Sequence, residues 1–378
     1  MTQKDSEMAI IGCYPPPYGG VTTHTLRLRA LMDKAGIRYK IYNTASEADD
    51  PPKVVSVHRS RASFLLKYFL FGKEPIVYIM SRNRVLWLFG ALLALLRRKK
   101  VILRLQCAQL LYYKNDKSIM YPIVGWMFRR MHGIVCVNRE LLAVVRDLGV
   151  AEDRSWWFPG FLPPAEWERD TSRVAPAMLE FAAKRKPFIP VAARVLWQQG
   201  YDLYGLDMMV ELAARLKPDY PELGIGICAW GHDPQNEAYL EKLQQRVNEL
   251  GIQDNVFFNK EKGLFVPLLF KADVSLRPTY SDGDANSLRE ALYLGVPSVA
   301  SDATERPPGC YLFKNRDLDD FEAKTREALE KGVREDQDQQ QGTRNLTRGD
   351  LYLEFLKELT GVAQNPVEQT HQPETSNA

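Results

Sequence analysis

The amino-acid sequence predicts an α/β protein of two domains, each a parallel sheet with helices on both faces. Three observations carry this. Short apolar runs alternate with helix-patterned segments from Met8 to Leu148, and again from Phe188 to Ser301. A Pro- and Gly-rich stretch, Phe158–Pro164, interrupts the alternation between them. The 378 residues are 45% hydrophobic, which is enough apolar material for a core in each half.

In chain order, Met8–Cys13 reads as a strand, and the turn-rich loop Tyr14–Gly20 leads into a helix over Val21–Ala35. Tyr39–Tyr42 and Ile76–Met80 read as strands, and Val85–Leu96 as a buried helix. Val101–Leu105 and Gly133–Val137 are strands, and Glu140–Leu148 is a helix stopped by Gly149. After the interruption come strands at Phe188–Ala193, Gly224–Ala229, Asn255–Phe258, Ala272–Leu276 and Ser298–Ser301. Between them lie helices at Asp207–Leu216, Glu237–Leu250, Val266–Phe270 and Asn286–Tyr293. The polar, Gln-rich Glu335–Asn345 reads as a loop, and Leu351–Leu359 as a last helix. The expected organisation is a domain over 1–165, a linker over 166–184 and a domain over 185–345. A helix over 346–362 follows, able to cross back to the first domain, and then a disordered tail over 363–378.

Several chemistries are excluded. The apolar run Val85–Leu96 is about 18 Å long as a helix, short of the roughly 30 Å a membrane span needs. The opening residues lack a secretory pattern. The five cysteines form no CxxC pair, and the five histidines show no metal-ligand spacing, so no metal is expected. Cys13, Cys136 and Cys228 read as small buried thiols in or at the end of strands. GxGxxG, the phosphate-binding GxxxxGK[ST] and GxSxG are all absent.

The net charge of +3 conceals an asymmetry. Residues 1–170 carry 26 Lys/Arg against 15 Asp/Glu, and within 51–130 the only acids are Glu74 and Asp116. Such a field favours anionic partners. Aromatic residues are interleaved with the basic ones, as in Trp126–Arg130, a composition suited to an anionic membrane surface. A nucleic-acid partner is not expected, because doubly wound sheets cover both faces and leave no exposed stacking platform.

Two loop–helix junctions can carry anion chemistry. Gly19-Gly20-Val21 lets the backbone approach a ligand just before a helix N-terminus. In Arg277–Leu292, Asp284 is placed to cap a helix from Ala285. The amides of Ala285, Asn286 and Ser287 then face outward to a diphosphate, with Glu290 one to two turns on, within reach of a ribose.

This second segment resembles the signature of family-four retaining glycosyltransferases: an acidic residue, seven residues, a Glu followed by Ala, then Gly-x-Pro and a strand. Here these are Asp282, Glu290, Ala291, Gly295, Pro297 and Val299–Asp302. YPPPYGGVTTHTLRL, CVNRELLAVVRDLGV, FPGFLPP, Asp254–Phe258 and Lys271–Val274 also resemble the family's segments. The resemblance implies the GT-B fold, two Rossmann-like domains facing across a cleft, with the Gly19-Gly20 loop opposite the Asp282–Glu290 loop. It implies acceptor binding by the N-terminal domain and nucleotide-sugar binding by the C-terminal one. Asp282 would contact the donor sugar, Glu290 the ribose and Arg194 the diphosphate, with Gly283 and Asp284 in the donor loop. The family's lysine position falls on Gln199, and its first glutamate is an aspartate here. Lys260 and Lys262 are candidates to supply the missing cation.

The implied reaction retains anomeric configuration, needs no metal or other cofactor, and takes a glycan or lipid-diphosphate-linked acceptor. The implied location is the cytoplasm, on the inner face of its membrane. The same departures at Gln199 and Asp282 leave open a catalytically impaired homologue acting as a membrane-associated partner or scaffold.

Overall fold

The structure, a computed structural model, describes residues 7–15, 20–45, 51–105, 109–158, 160–198, 200–229, 236–261, 263–282, 285–334 and 349–362. The chain forms two compact units, Met1–Pro159 with Gly349–Ala378, and Gly160–Arg348.

The first unit is built on a seven-stranded parallel sheet. Its strands are β1 (Met8–Gly12), β2 (Tyr39–Asn43), β3 (Val54–Ser56), β4 (Ile76–Met80), β5 (Lys100–Leu105), β6 (Gly133–Cys136) and β7 (Ser155–Trp157). They lie in the order β3-β2-β1-β4-β5-β6-β7, every pair parallel. The central strands β1 and β4 are buried along their whole length, which is why they read as continuous apolar runs rather than alternating ones. Helices α1 (Gly20–Lys34), α2 (Arg61–Phe71), α3 (Arg84–Arg97), α4 (Gln109–Asn115), α5 (Met120–Arg130) and α6 (Arg139–Asp147) connect them. Two helix starts are fixed by side-chain caps. Asn83 accepts from the Val85 amide at 2.8 Å, and Asn138 from the Leu141 amide at 2.7 Å. Trp87 of α3 meets Phe128 of α5 edge-on at 5.4 Å, and Tyr68 of α2 lies 6.3 Å from Phe89, so α3 packs between its two neighbours over the sheet.

The second unit starts with α7 (Pro176–Ala183), inside the stretch expected to be linker; its Met178 and Ala182 are buried. Next come β8 (Phe188–Ala193) and the short hairpin of β9 (Trp197–Gln198) and β10 (Tyr201–Asp202). Then follow α8 (Leu206–Leu216), β11 (Gly224–Ala229), α9 (Glu237–Glu249), β12 (Val256–Asn259), α10 (Val266–Leu269) and β13 (Ser275–Arg277). The unit ends with α11 (Asn286–Tyr293), β14 (Ser298–Ser301), β15 (Cys310–Phe313) and α12 (Leu318–Lys331). The parallel strands run β12-β11-β8 and β13-β14-β15. The Asp273 amide, just before β13, donates to the Phe188 carbonyl at 2.9 Å and brings the two halves side by side. Their shared core is aliphatic, with Ile189, Val191, Leu212, Ile225, Ile227 and Val299 at its centre.

A last helix, α13 (Gly349–Thr360), belongs to the first unit. Its Tyr352 hydroxyl lies 2.6 Å from that of Tyr78 on β4, and the buried Arg104 guanidinium stands 5.0 Å from the Tyr352 ring centre. Phe355 packs 4.8 Å from Trp156.

The structure departs from the sequence reading in several elements. β3, α2, α4, α5, β7, α7, β9, β10, β15 and α12 are additional. β1 stops at Gly12, so Cys13 lies beyond the strand and is only half-buried, its Sγ 3.8 Å from Thr44 Oγ1. Cys136 and Cys228 are fully buried, and burial pushes both thiols up to about 12. Cys107 lies outside the described residues.

Candidate functional site

Asp282 lies beside the carboxyl ends of β8, β13 and β14, the edge where open α/β sheets bind ligands, and α11 starts four residues on. Asp282 lies in the loop between β13 and α11 and is held from two sides. Arg277, the last residue of β13, donates from Nε to Oδ2 at 2.9 Å and from Nη2 to Oδ1 at 3.1 Å. Arg306, on the loop after β14, donates from Nη1 to Oδ2 at 2.9 Å. Thr279 Oγ1 adds a third bond to Oδ2 at 3.2 Å.

Each arginine is itself anchored. Arg277 donates to the Ala192 carbonyl of β8 at 3.0 Å and stands 5.1 Å from the Tyr204 ring centre. Arg306 donates to the Ser301 carbonyl at 2.8 Å, to Ser301 Oγ at 3.0 Å and to Thr279 Oγ1 at 2.8 Å. Burial alone would raise the Asp282 carboxyl. The charges and hydrogen bonds of Arg277 and Arg306 outweigh it and hold the carboxyl below the ordinary aspartate range. Arg277, Arg306 and Asp282 together carry a net charge of one positive unit.

The hairpin β9–β10 borders the same corner. The rings of Tyr201 on β10 and Tyr280 in the Asp282 loop stack at 4.2 Å and 8°. The start of α8 presses on that loop from below: Gly205 has φ +69°, and a Cβ there would stand 2.2 Å from the Pro278 carbonyl oxygen. Only glycine meets both conditions. Asp202 fastens this turn by accepting from the amides of Tyr204, Gly205 and Asp207 and from the Tyr239 hydroxyl, at 2.8–3.2 Å. Burial leads the forces on this carboxyl and raises it above the ordinary value.

The remaining predicted residues fall as follows. Helix α11 begins at Asn286, with Ala285 rather than Asp284 in the capping position and no side-chain cap. Asn286 and Ser287 are half-buried in its first turn, and Glu290 follows one turn after Asn286, buried at 6% exposure. Arg194 directly follows β8 and is exposed. In the other unit Gly20 is the first residue of α1 and exposed. Gly19, Gln199, Lys262, Gly283 and Asp284 lie outside the described residues. Lys260 pairs with Glu237 at 3.1 Å, so its charge is already engaged. Among the described residues no three His, Cys, Asp or Glu side chains are grouped to hold a metal ion.

Sequence reasoning missed Arg277, Arg306 and the Tyr201–Tyr280 stack. An arginine directly after the strand-like stretch Ala272–Leu276 was the available signal for the first. Nothing in the sequence pairs Arg306 with an acid 24 residues earlier.

Comparison with known proteins gives this corner a context. Residues 180–345 match the model of the family described as glycosyl transferases group 1. No curated protein matches the chain. Among solved structures, Anabaena Alr3699/HepE in complex with UDP and glucose superposes with a TM-score of 0.62 at 12% identity, covering 94% of this chain and 100% of that one. An α,α-trehalose-phosphate synthase (UDP-forming) from Burkholderia xenovorans, in complex with glucose-6-phosphate, gives 0.64 at 12% identity over 93% and 99%. WaaG, a glycosyltransferase involved in lipopolysaccharide biosynthesis, gives 0.59 at 13% identity over 94% and 100%. The chain has the GT-B fold of these structures, and the Asp282 cluster and α11 lie within the residues matched by the glycosyl transferases group 1 model.

Proposed function

We propose that the protein is a cytoplasmic retaining glycosyltransferase, moving a hexosyl group from a nucleotide-diphosphate-sugar to a glycan acceptor carried on a lipid diphosphate. One observation carries the reading. The Arg277–Asp282–Arg306 cluster, net positive by one charge, holds the loop that enters α11, at the carboxyl edge of the strands in the segment matched by the family model.

The roles follow from the chemistry of each position. The α11 start at Ala285, Asn286 and Ser287 offers backbone N–H groups to the diphosphate, and exposed Arg194 adds a charge-assisted contact. Glu290 accepts from the ribose hydroxyls, and Asp282, fixed by its arginines, faces the transferred sugar. Gly283 and Asp284 complete the donor loop of this unit. Arginine and amides meet the phosphate charge, so the reading requires no metal. In the reaction the bond from the anomeric carbon to the diphosphate oxygen breaks as the acceptor hydroxyl attacks from the same face. The departing oxygen takes the hydroxyl proton, and attack on the face it leaves retains the configuration. UDP in the Anabaena structure supports a uridine nucleotide as the first donor to test.

The second reading, a nucleotide-binding partner without transfer, is favoured by the glutamine at position 199 where the family has a lysine. One experiment separates the two. UDP and a panel of sugar nucleotides are titrated into the protein, and the binders are then tested for sugar transfer or hydrolysis. Turnover supports the transferase, binding without turnover supports the partner, and no nucleotide binding overturns both.

A further inference from the structure

In the first unit, the exposed large apolar side chains of the described residues lie on α2, α3 and α5 and the residue before α5. Val21, Val55 and Leu351 are the exceptions. They form stripes at helical spacing. On α3, Val85, Leu88 and Leu95 with Leu96 recur every three to seven residues along one side. On α5 the stripe runs from Ile119 through Ile123 to Trp126 and ends at Arg130, whose guanidinium stands 5.5 Å from the Trp126 ring centre. On α2 it is Leu66 and Leu70, closed by Phe71. Each helix returns between parallel strands, so all three run in one direction, and α3 packs against both others. Their inward side chains make the core and their outward stripes lie next to each other.

The exposure is large where the argument needs it: 74% for Phe71, 62% for Leu96 and 79% for Ile119. Exposed apolar stripes on adjacent helices mark an interaction site. Its charge identifies the partner. None of the three helices contains an acidic residue, and Lys67, Arg84, Arg97, Arg129 and Arg130 lie on them. Arg98 follows α3 directly in a left-handed conformation. No helix is long and apolar enough to cross a membrane among the described residues. Apolar stripes bordered by cations, with a tryptophan under an arginine, suit a surface whose interior is hydrocarbon and whose rim is anionic.

We infer that the α2–α3–α5 face docks on an anionic phospholipid leaflet, its apolar stripes entering the acyl boundary and its arginines and lysines meeting the headgroups. Charge alone suggests adsorption by the basic stretch; the exposed stripes add shallow insertion. This surface stands independently of the donor site.

The test is sedimentation of the full-length protein with vesicles of phosphatidylglycerol and phosphatidylcholine in equal parts, against vesicles of phosphatidylcholine alone. The protein should pellet with the first and weakly with the second. Arg97→Gln with Arg130→Gln should loosen binding about 30-fold, at roughly fivefold per charge, the equivalent of ~1 kcal/mol each. Phe71→Asp with Leu96→Asp should loosen it more than about tenfold even in high salt, where charge is screened. Both apolar residues are exposed, so an unchanged melting curve and unchanged UDP titration are expected for this variant. That result separates failure of docking from failure of the donor site. Equal binding of both vesicle types, or full binding by Phe71→Asp with Leu96→Asp, would overturn the inference. So would a stable dimer in vesicle-free solution that the apolar variant dissolves, because the face would then be a contact between two copies.

Discussion

Arg306→Met removes a buried cation that donates to Asp282, to Thr279 and twice to Ser301. Its volume is nearly kept, so the change isolates charge and hydrogen bonding from cavity formation. Deleting one partner of an enclosed ion pair costs about 3–5 kcal/mol, because the other charge stays in place with its compensation reduced. A domain's whole stability is about 5–15 kcal/mol, so the loss is a large fraction. For a unit of this size each kcal/mol shifts the melting temperature by roughly 2–4 °C, so the second unit should melt about 6–20 °C lower. Differential scanning calorimetry of the full chain reads this directly. A double-mutant cycle with Asp282→Asn provides the control. If the pair is coupled, the double variant should recover at least ~0.5 kcal/mol relative to the sum of the single losses. A melting shift under about 2 °C, or an additive cycle, would refute the view that Arg306 holds the Asp282 loop.

Arg194→Ala should weaken UDP binding far more than uridine binding in parallel titrations, since the guanidinium is expected to meet the phosphates rather than the nucleoside; equal weakening of both would make Arg194 structural. Glu290→Gln keeps shape and removes charge, and should raise the donor KM about tenfold, since charge-assisted bonds contribute ~1.5–3 kcal/mol. Unchanged donor affinity with a lower melting temperature would make Glu290 a packing residue. The Asp282 carboxyl has its folded value depressed, so its contribution to stability is full above the unfolded value of about 3.9 and is lost as pH falls through the folded value. Urea unfolding of Asp282→Asn should therefore show a shallower fall below about pH 4 than the parent; parallel curves would count against the arginine clamp.

The strands were legible because both sheet faces are covered, so β4, β8 and β11 appear as unbroken apolar runs. Helix α2 was not, for a reason visible in its packing. Leu66, Leu70 and Phe71 are exposed while Tyr68 is buried, so apolar residues occur on both sides and blur the 3.6-residue stripe. The same face that argues for a partner thus hides the helix from a periodicity reading. Helix α12 is a different case, since Phe321, Thr325 and Ala328 make a weak stripe with a polar member at its centre. Asp282 and Glu290 could be singled out from spacing and resemblance because both belong to one short segment. The arginines around Asp282 were not, since a long-range ion pair leaves no periodic trace.

The placement of α13 has a consequence for how the protein is made. The second unit is inserted, in sequence, between the main part of the first unit and the helix that completes it. Tyr78 on the central strand meets Tyr352 across 274 residues of chain. At a synthesis rate of about 5–20 residues per second, the nascent first unit spends on the order of tens of seconds without that helix. During this interval Arg104 and Tyr78 lack the ring that encloses them, and the second unit can fold ahead of the domain that preceded it from the ribosome. A nascent chain with residues up to 334 outside the ribosomal exit tunnel and residues from 349 still inside it would carry a complete second unit on a first unit that lacks its last helix.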